Sequence, residues 1–227
     1  MENVSIIVSR FNEDLKWILE SPFNQFKYIV YNKGDNDDFE KTNVIETIPI
    51  ENVGKNDHTY LYHIVKNYEN LSNIIVFFPG SINIDYKKQK AIQILNNIIK
   101  SNYTKAYFVG HYQNNIKGSF YDFQLDEWKT TDLKNFTKND ESKLQLAKIR
   151  PYGLWYKYFF GDTIARWSTW WGIFSLDKRD IINHPITRYQ ILIELINKHS
   201  NPEAGHYIER SWSAIFYPLR YTQKISS

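Results

Sequence analysis

The amino-acid sequence predicts an α/β protein: a single domain whose mixed, mostly parallel, twisted sheet is flanked by helices. Three observations predict it. Short runs rich in β-branched and aromatic residues alternate with amphipathic helix patterns in the order β-α-β-β-α-β-α-β over the first half of the chain. Strands separated by helices pair in parallel, with helices on both faces. The run Asn73–Phe78 is almost continuously apolar, as suits a strand covered on both faces near the middle of such a sheet. Finally, the chain has 227 residues, 42% of them hydrophobic, with no internal repeat and no linker-like stretch. That is enough for one large core, and residues 1–227 are read as one domain.

Taken in order, Val4–Val8 is the first strand. It ends in Ser9-Arg10-Phe11-Asn12-Glu13-Asp14, after which the spacing of Leu15, Ile18 and Leu19 predicts a helix. Phe26–Tyr31 is the second strand, closed by the turn sequence Asn32-Lys33-Gly34-Asp35 and an exposed acidic loop to Lys41. Val44–Ile50 reads as an edge strand, because Pro49 has no N–H for a ladder. The segment Asn52-Val53-Gly54-Lys55-Asn56-Asp57-His58-Thr59 leads into a helix with Asp57 as its expected N-cap and Leu61, Ile64, Val65 and Tyr68 as its buried stripe. A loop entering a helix presents free N–H groups to an anion, and Gly54 lets a ligand approach the backbone. The strand Asn73–Phe78 ends in Pro79-Gly80-Ser81; Ala91, Ile94, Leu95 and Ile98 mark the next helix, and Ala106–Val109 another strand. Residues 110–149 are polar and poorly periodic, with acidic pairs at Asp126-Glu127 and Asp140-Glu141, and read as an excursion from the sheet. Trp171–Leu176 predicts a strand, and Ile186, Tyr189, Ile193 and Ile196 a helix with Pro185 near its start. The tail Tyr217–Ser227 shows no pattern and is expected to pack loosely.

Composition narrows the function classes. A net charge of +3 with no dense Lys/Arg block leaves a weak footprint for nucleic acid, so a stacking single-strand binder is the least favoured class. The absence of cysteine removes disulfides, thiolate metal sites and cysteine nucleophiles. No stretch resembles a signal peptide and none approaches 18 apolar residues, so a cytoplasmic protein without a membrane span is expected. There is no HExxH, no GxSxG, no GxGxxG and no P-loop. Aromatics make up 17% of the chain, with 17 Tyr and 7 Trp crowded most densely between Pro151 and Ile173. Such flat, amphipathic rings suit either core packing or the C–H faces of sugars, and Trp170 and Trp171 are the candidate acceptor-binding pair.

The most informative stretch is Asn201–Phe216. Asn201 is positioned to cap a helix, with Pro202 at its first position and Glu203 near its positive end. Ile208, Trp212 and Ile215 form an apolar stripe, while His206, Glu209, Arg210 and Ser213 form a polar one. That polar stripe is either a solvated face braced by a Glu–Arg pair or a catalytic face. An interior glycine costs a helix about 1 kcal/mol, so Gly205 is read as making room for a close neighbour. Glu209 is the candidate catalytic carboxylate. His206 is the alternative base, oriented by Glu209, and Arg210 a candidate partner for a diphosphate.

Ser-Arg-Phe-Asn-Glu-Asp with Trp17, Tyr31-Asn32-Lys33-Gly34, Asn52-Val53-Gly54 through His58-Thr59-Tyr60-Leu61, and Asn201-Pro202-Glu203 through Glu209-Arg210-Ser211-Trp212 occur in that order. In this the chain resembles a GT-A-type glycosyltransferase-like family formerly carried as a domain of unknown function. It is also similar to the capsid-decorating glycosyltransferase domain of large algal DNA viruses, which would make it a viral protein working in the host cytoplasm. The resemblance spans residues 4 to 216 and implies a Rossmann-like GT-A domain that moves a sugar from a nucleotide-sugar such as a UDP-sugar to a glycan or protein-linked acceptor. It further implies that the donor meets Arg10, Asn12, Glu13, Asn32, Lys33 and Gly34, with Gly54, His58, Thr59 and Gly80 on the same edge of the sheet. The family pattern of Asp-x-Asp after a central strand is absent: that strand ends Phe78-Pro79-Gly80-Ser81, and the next acid is Asp85. Asp85 is therefore the candidate contact for Mn²⁺ or Mg²⁺, held largely through substrate phosphates. The alternative function is a non-catalytic carbohydrate-binding protein on a degenerate transferase fold.

Overall fold

The strand β1 (Val4–Arg10) sends Ile7 to one side of a sheet and Ile6 and Val8 to the other, as the two-residue period of a strand requires. Both sides are apolar because both are covered. The computed structural model describes residues 3–128 and 144–226. Its further strands are β2 (Tyr28–Asn32), β3 (Val44–Pro49), β4 (Ile74–Pro79), β5 (Tyr107–Tyr112), β6 (Trp167–Ser168), β7 (Phe174–Asp177) and β8 (Gln223–Ser226). Its helices are α1 (Lys55–Lys66), α2 (Asp85–Lys100), α3 (Ile116–Ser119), α4 (Tyr152–Phe160), α5 (Lys178–Ile182), α6 (Ile186–Glu194) and α7 (Glu203–Ile215).

The main sheet runs β3-β2-β1-β4-β7. Its first four strands are parallel and β7 is antiparallel to β4. A smaller sheet, β6-β5-β8, lies beside β7. There Ser175 Oγ joins the two sheets, accepting from Tyr107 N at 2.7 Å and donating to Tyr107 O at 3.0 Å. On one face Ile7, Tyr31 and Phe77 pack with α1, α4, α6 and α7. On the other Ile6, Val8, Val76 and Phe78 pack with α2 and with Trp17 and Phe23. The protein is thus a single α/β domain with mixed, mostly parallel sheets, consistent with a Rossmann-like fold. No helix among the described residues is long and apolar enough to cross a membrane.

Four expectations change. The helix expected from Leu15 is a single 3₁₀ turn, Lys16–Leu19, preceded by Leu15 in a left-handed conformation at φ 54°. Its Trp17 indole donates to Gly80 O at 2.8 Å, and anchors the turn without a longer helix. Asp57 does not cap α1: Gly54 at φ 60° stands at the cap, and Asp57 sits inside the first turn. Nor does Asn201 cap α7, because Pro202 takes that position and the Asn201 amide donates to Trp128 O. The tail is tied down rather than loose. The Asp180 carboxylate accepts the backbone N–H groups of Arg220, Tyr221 and Thr222, and β8 then pairs in parallel with β5. Within the expected excursion, α3 forms over Ile116–Ser119; residues 129–143, with Asp140 and Glu141, lie outside the described residues.

Candidate functional site

Because β1, β2 and β4 are parallel, their C-terminal ends share one edge. The chain passes from β1 to β2 and β3 on one side, then crosses through α1 to β4 on the other. The loops after β1 and β4 therefore diverge and leave a crevice, the usual ligand position in an open α/β sheet. A cleft of about 360 Å³ opens there. Ser9 and Arg10, Lys33 and Ser81 reach it from the three strand ends, Asp57 from α1 and Glu209 from α7.

Two carboxylates dominate its chemistry. Glu209 Oε1 accepts from the backbone N–H of Trp171 at 2.8 Å, which fixes the side chain against a neighbouring loop. Burial pushes its pKa up, while Arg210, the Trp171 N–H, Lys90 and Lys87 pull the other way. Asp57 Oδ1 accepts from the Trp212 indole at 3.1 Å. Burial first, and the nearby Glu209 charge second, push the Asp57 carboxyl well above its ordinary range. Asp57 reads locally as a helix cap; the partner that sets its place in the cleft, Trp212 of α7, arrives 155 positions later.

Buried lysines surround this pair. Lys33 Nζ donates to the carbonyls of Val53 and Lys55, bracing the entry to α1, and burial brings its pKa down to about 7. Lys90 donates to Thr169 Oγ1 at 2.6 Å and Trp170 O at 3.1 Å, and burial brings it to about 7 as well. Lys55 and Lys87 line the cleft, with Lys87 donating to Ser81 Oγ at 2.7 Å.

Several expected donor-binding residues build the frame of the cleft. Arg10 is fully buried; its guanidinium donates to Glu13 O, Asn32 Oδ1, Asn36 O and Asn36 Oδ1 and lies 4.4 Å from the Phe39 ring. It holds the acidic loop against β1 instead of offering its donors to a ligand. Asn32 Oδ1 also accepts from Gly34 N, and Asn12 Oδ1 accepts from Asn36 Nδ2. Gly34 packs so tightly that a Cβ there would stand 1.6 Å from Phe11 O. Glu13 lines the cleft but folds back to accept Phe11 N at 2.7 Å, against Gly80, where a Cβ would meet its carboxylate at 2.6 Å. Thr59 bonds Ser9 Oγ at 2.9 Å and ties α1 to β1. Asn12, Asn32, Gly34, Gly54, His58, Thr59 and Gly80 are not among the residues lining the cleft.

The remaining candidates divide. His206 lines the cleft beneath Trp128, at 5.0 Å between rings. Burial, Arg210 and Lys55 push its pKa down to about 3, so it is neutral and a poor proton acceptor at physiological pH. Arg210 turns into an aromatic cage, 3.5 Å from the Phe123 ring and 4.9 Å from Trp170, and donates to His206 O. Neither Arg210 nor Trp170 is among the residues lining the cleft; Trp170 is a wall of that cage. Trp171 does line the cleft, 37% exposed, with its ring 4.6 Å from Tyr86. It adopts φ 66°, an uncommon conformation for a bulky residue. Asp85 opens α2, exposed and outside the cleft lining. No group of three or more His, Cys, Asp or Glu suited to a metal ion occurs among the described residues.

Sequence reasoning missed Asp57, Lys87, Tyr86 and Trp128 as cleft residues. The first three sit in the opening turns of helices that follow strand ends, a position that could have flagged them. Trp128 offered no local signal.

A family model described as a protein of unknown function, DUF3431, matches residues 6–224. The match covers nearly the whole chain, and the chain belongs to this family. No curated protein matches it.

Proposed function

We propose that the cleft transfers a sugar from a nucleotide diphosphate donor to a hydroxyl of a glycan or protein-linked acceptor. The observation that carries this reading is Glu209, a carboxylate fixed by the Trp171 N–H at the switch point of a parallel sheet, beside cations and aromatic faces. In the proposed reaction the acceptor oxygen bonds to the anomeric carbon as the bond from that carbon to the diphosphate oxygen breaks. The acceptor's proton passes to the Glu209 carboxylate, and the nucleoside diphosphate leaves. Lys55 and Lys87 line the cleft where their charge would stabilise that leaving group. The paired rings of Trp171 and Tyr86, with Trp128 across the cleft, offer apolar faces to a sugar or a base.

Thermal-shift measurements over a panel of nucleotide sugars, with and without Mn²⁺, test this reading. A ligand at 100 times its Kd stabilises the folded state by about 2.7 kcal/mol. A rise in Tm with one nucleotide sugar, followed by release of the nucleoside diphosphate when a glycan acceptor is added, is the expected result. No rise with any donor contradicts it; a rise with glycans alone, without release, points to carbohydrate binding without catalysis.

A further inference from the structure

Gly205 lies in the first turn of α7, and packing does not demand a glycine there. A Cβ at Gly205 would find its nearest neighbours at 3.8 Å (Pro202 Cγ) and 3.9 Å (Asp57 Oδ2), both ordinary contacts. Gly205, Glu209 and Trp212 are spaced i, i+4, i+7 and so share one face of α7. Asp57 spans that face from α1. Its Oδ1 accepts the Trp212 indole, and its Oδ2 lies over Gly205. Asp57, Gly205 and Glu209 all line the same cleft.

The geometry points to Asp57 as a second acting carboxylate, working with Glu209 on the bound acceptor hydroxyl, and to Gly205 as the gap that keeps Asp57 Oδ2 open to it. This rests on the transferase reading of the cleft and deepens it. Burial raises both carboxyls and the Glu209 charge raises Asp57 further, which favours a state in which one carries a proton while the other accepts. The pair would then hold the acceptor by two contacts: the ionised member takes the hydroxyl proton and the protonated member donates to a second oxygen of the substrate. Lys33 faces the pair from the end of β2, Lys87 and Lys90 from α2, and Arg210 and neutral His206 from α7. Tyr60 faces it from α1 and stays un-ionised through burial. Lys55 from α1 and Glu13 from the loop after β1 line the same cleft. Lys87 and Arg210, and Lys33 and Lys90 below about pH 7, favour charge on the pair, while burial and carboxylate repulsion oppose it.

The test is a thermal double-mutant cycle on the full chain, which needs no substrate. A carboxyl whose folded pKa lies above its unfolded value stabilises the fold at low pH and loses that contribution as pH rises through the folded pKa. Wild-type Tm should therefore fall between pH 5 and pH 8 more than that of Asp57→Asn or Glu209→Gln. At pH 8 each single variant should exceed wild type, and the gain of the double variant should fall short of the sum of the single gains, because each substitution removes its own burial cost but the repulsion is removed only once. Shifts that add in the double variant would overturn the pairing. Gly205→Ala should leave Tm unchanged or raise it slightly, since space for a Cβ is available; a fall would mean that the gap is filled by packing. Gly205→Leu should keep the fold and lower kcat/KM roughly tenfold or more by covering Asp57 Oδ2; unchanged kcat/KM would overturn the role of the gap. A coupled cycle in a protein that turns over no nucleotide sugar would leave the pair standing and remove the transferase reading instead.

Discussion

The Trp212 indole donates to Asp57 Oδ1 at 3.1 Å, joining the first turn of α1 to the last turns of α7 across 155 positions of sequence. Trp212 is buried at 1% exposure and stacks on Phe216 with rings nearly parallel, 7° apart. One side chain therefore serves two purposes: its ring fills the core between helix and sheet, and its N–H reaches a carboxylate at the cleft.

Trp212→Phe should separate those purposes. The ring stays apolar, but a buried carboxylate oxygen loses its donor, at a cost of roughly 1–3 kcal/mol. The ionised form of Asp57 loses most, so the destabilisation should be larger at pH 8 than at pH 5. Chemical denaturation at the two pH values checks the sign; equal losses would show that packing alone is affected.

Lys33→Met should lower stability, because Lys33 Nζ donates to the carbonyls of Val53 and Lys55. Its pKa of about 7 lies below the ordinary lysine value. The folded state therefore favours the neutral amine, and keeping the lysine costs more as pH falls from about 10 toward 7. The stability gap between wild type and Lys33→Met should narrow over that range and level off below it, as read by denaturant midpoints.

Arg10→Lys should cost roughly 2–3 kcal/mol, although the charge is kept. A lysine cannot reproduce the planar fork that reaches Asn32 and Asn36 together. The fall should appear in Tm without ligand. A variant that lost nucleotide affinity while keeping full stability would put Arg10 back among the ligand contacts.

Glu203→Ala should untie the ends of the excursion. This fully buried carboxylate accepts Leu125 N at 2.9 Å, Ala147 N at 2.8 Å and the Tyr207 hydroxyl at 2.7 Å, and pairs with Arg150. Removing one partner of a buried charged network costs roughly 3–5 kcal/mol. Limited proteolysis should show faster cleavage near Leu125 and Ala147; unchanged protection would mean that the segment is held by other contacts.

The sheet was legible because strand burial is written locally. The continuous run Ile74–Phe78 and the short runs in β1 and β2 can only be strands covered on both faces. The helix stripe at Ile208, Trp212 and Ile215 was equally local. Polar residues were harder, because their roles depend on partners distant in sequence. Arg10 beside a polar loop reads as a ligand contact until Asn36 and Phe39 are seen to saturate it. Arg210 reads as a cleft cation until Phe123 and Trp170 enclose it. Asp57 reads as a cap until Trp212 and Glu209 arrive from α7. The parallel strand β8 was missed because four residues, three of them exposed, carry too little periodicity to stand out.

Glu209→Gln is the most direct measurement. The substitution keeps size and the capacity to accept from Trp171 N–H, and removes the charge that takes the acceptor's proton. With a nucleotide-sugar donor identified by thermal shift, kcat for transfer to a glycan should fall roughly 10²-fold or more, with donor affinity unchanged and Tm at pH 8 equal to or above wild type. Near-normal kcat in a folded Glu209→Gln protein would contradict the assignment of Glu209 as the base of a sugar transfer.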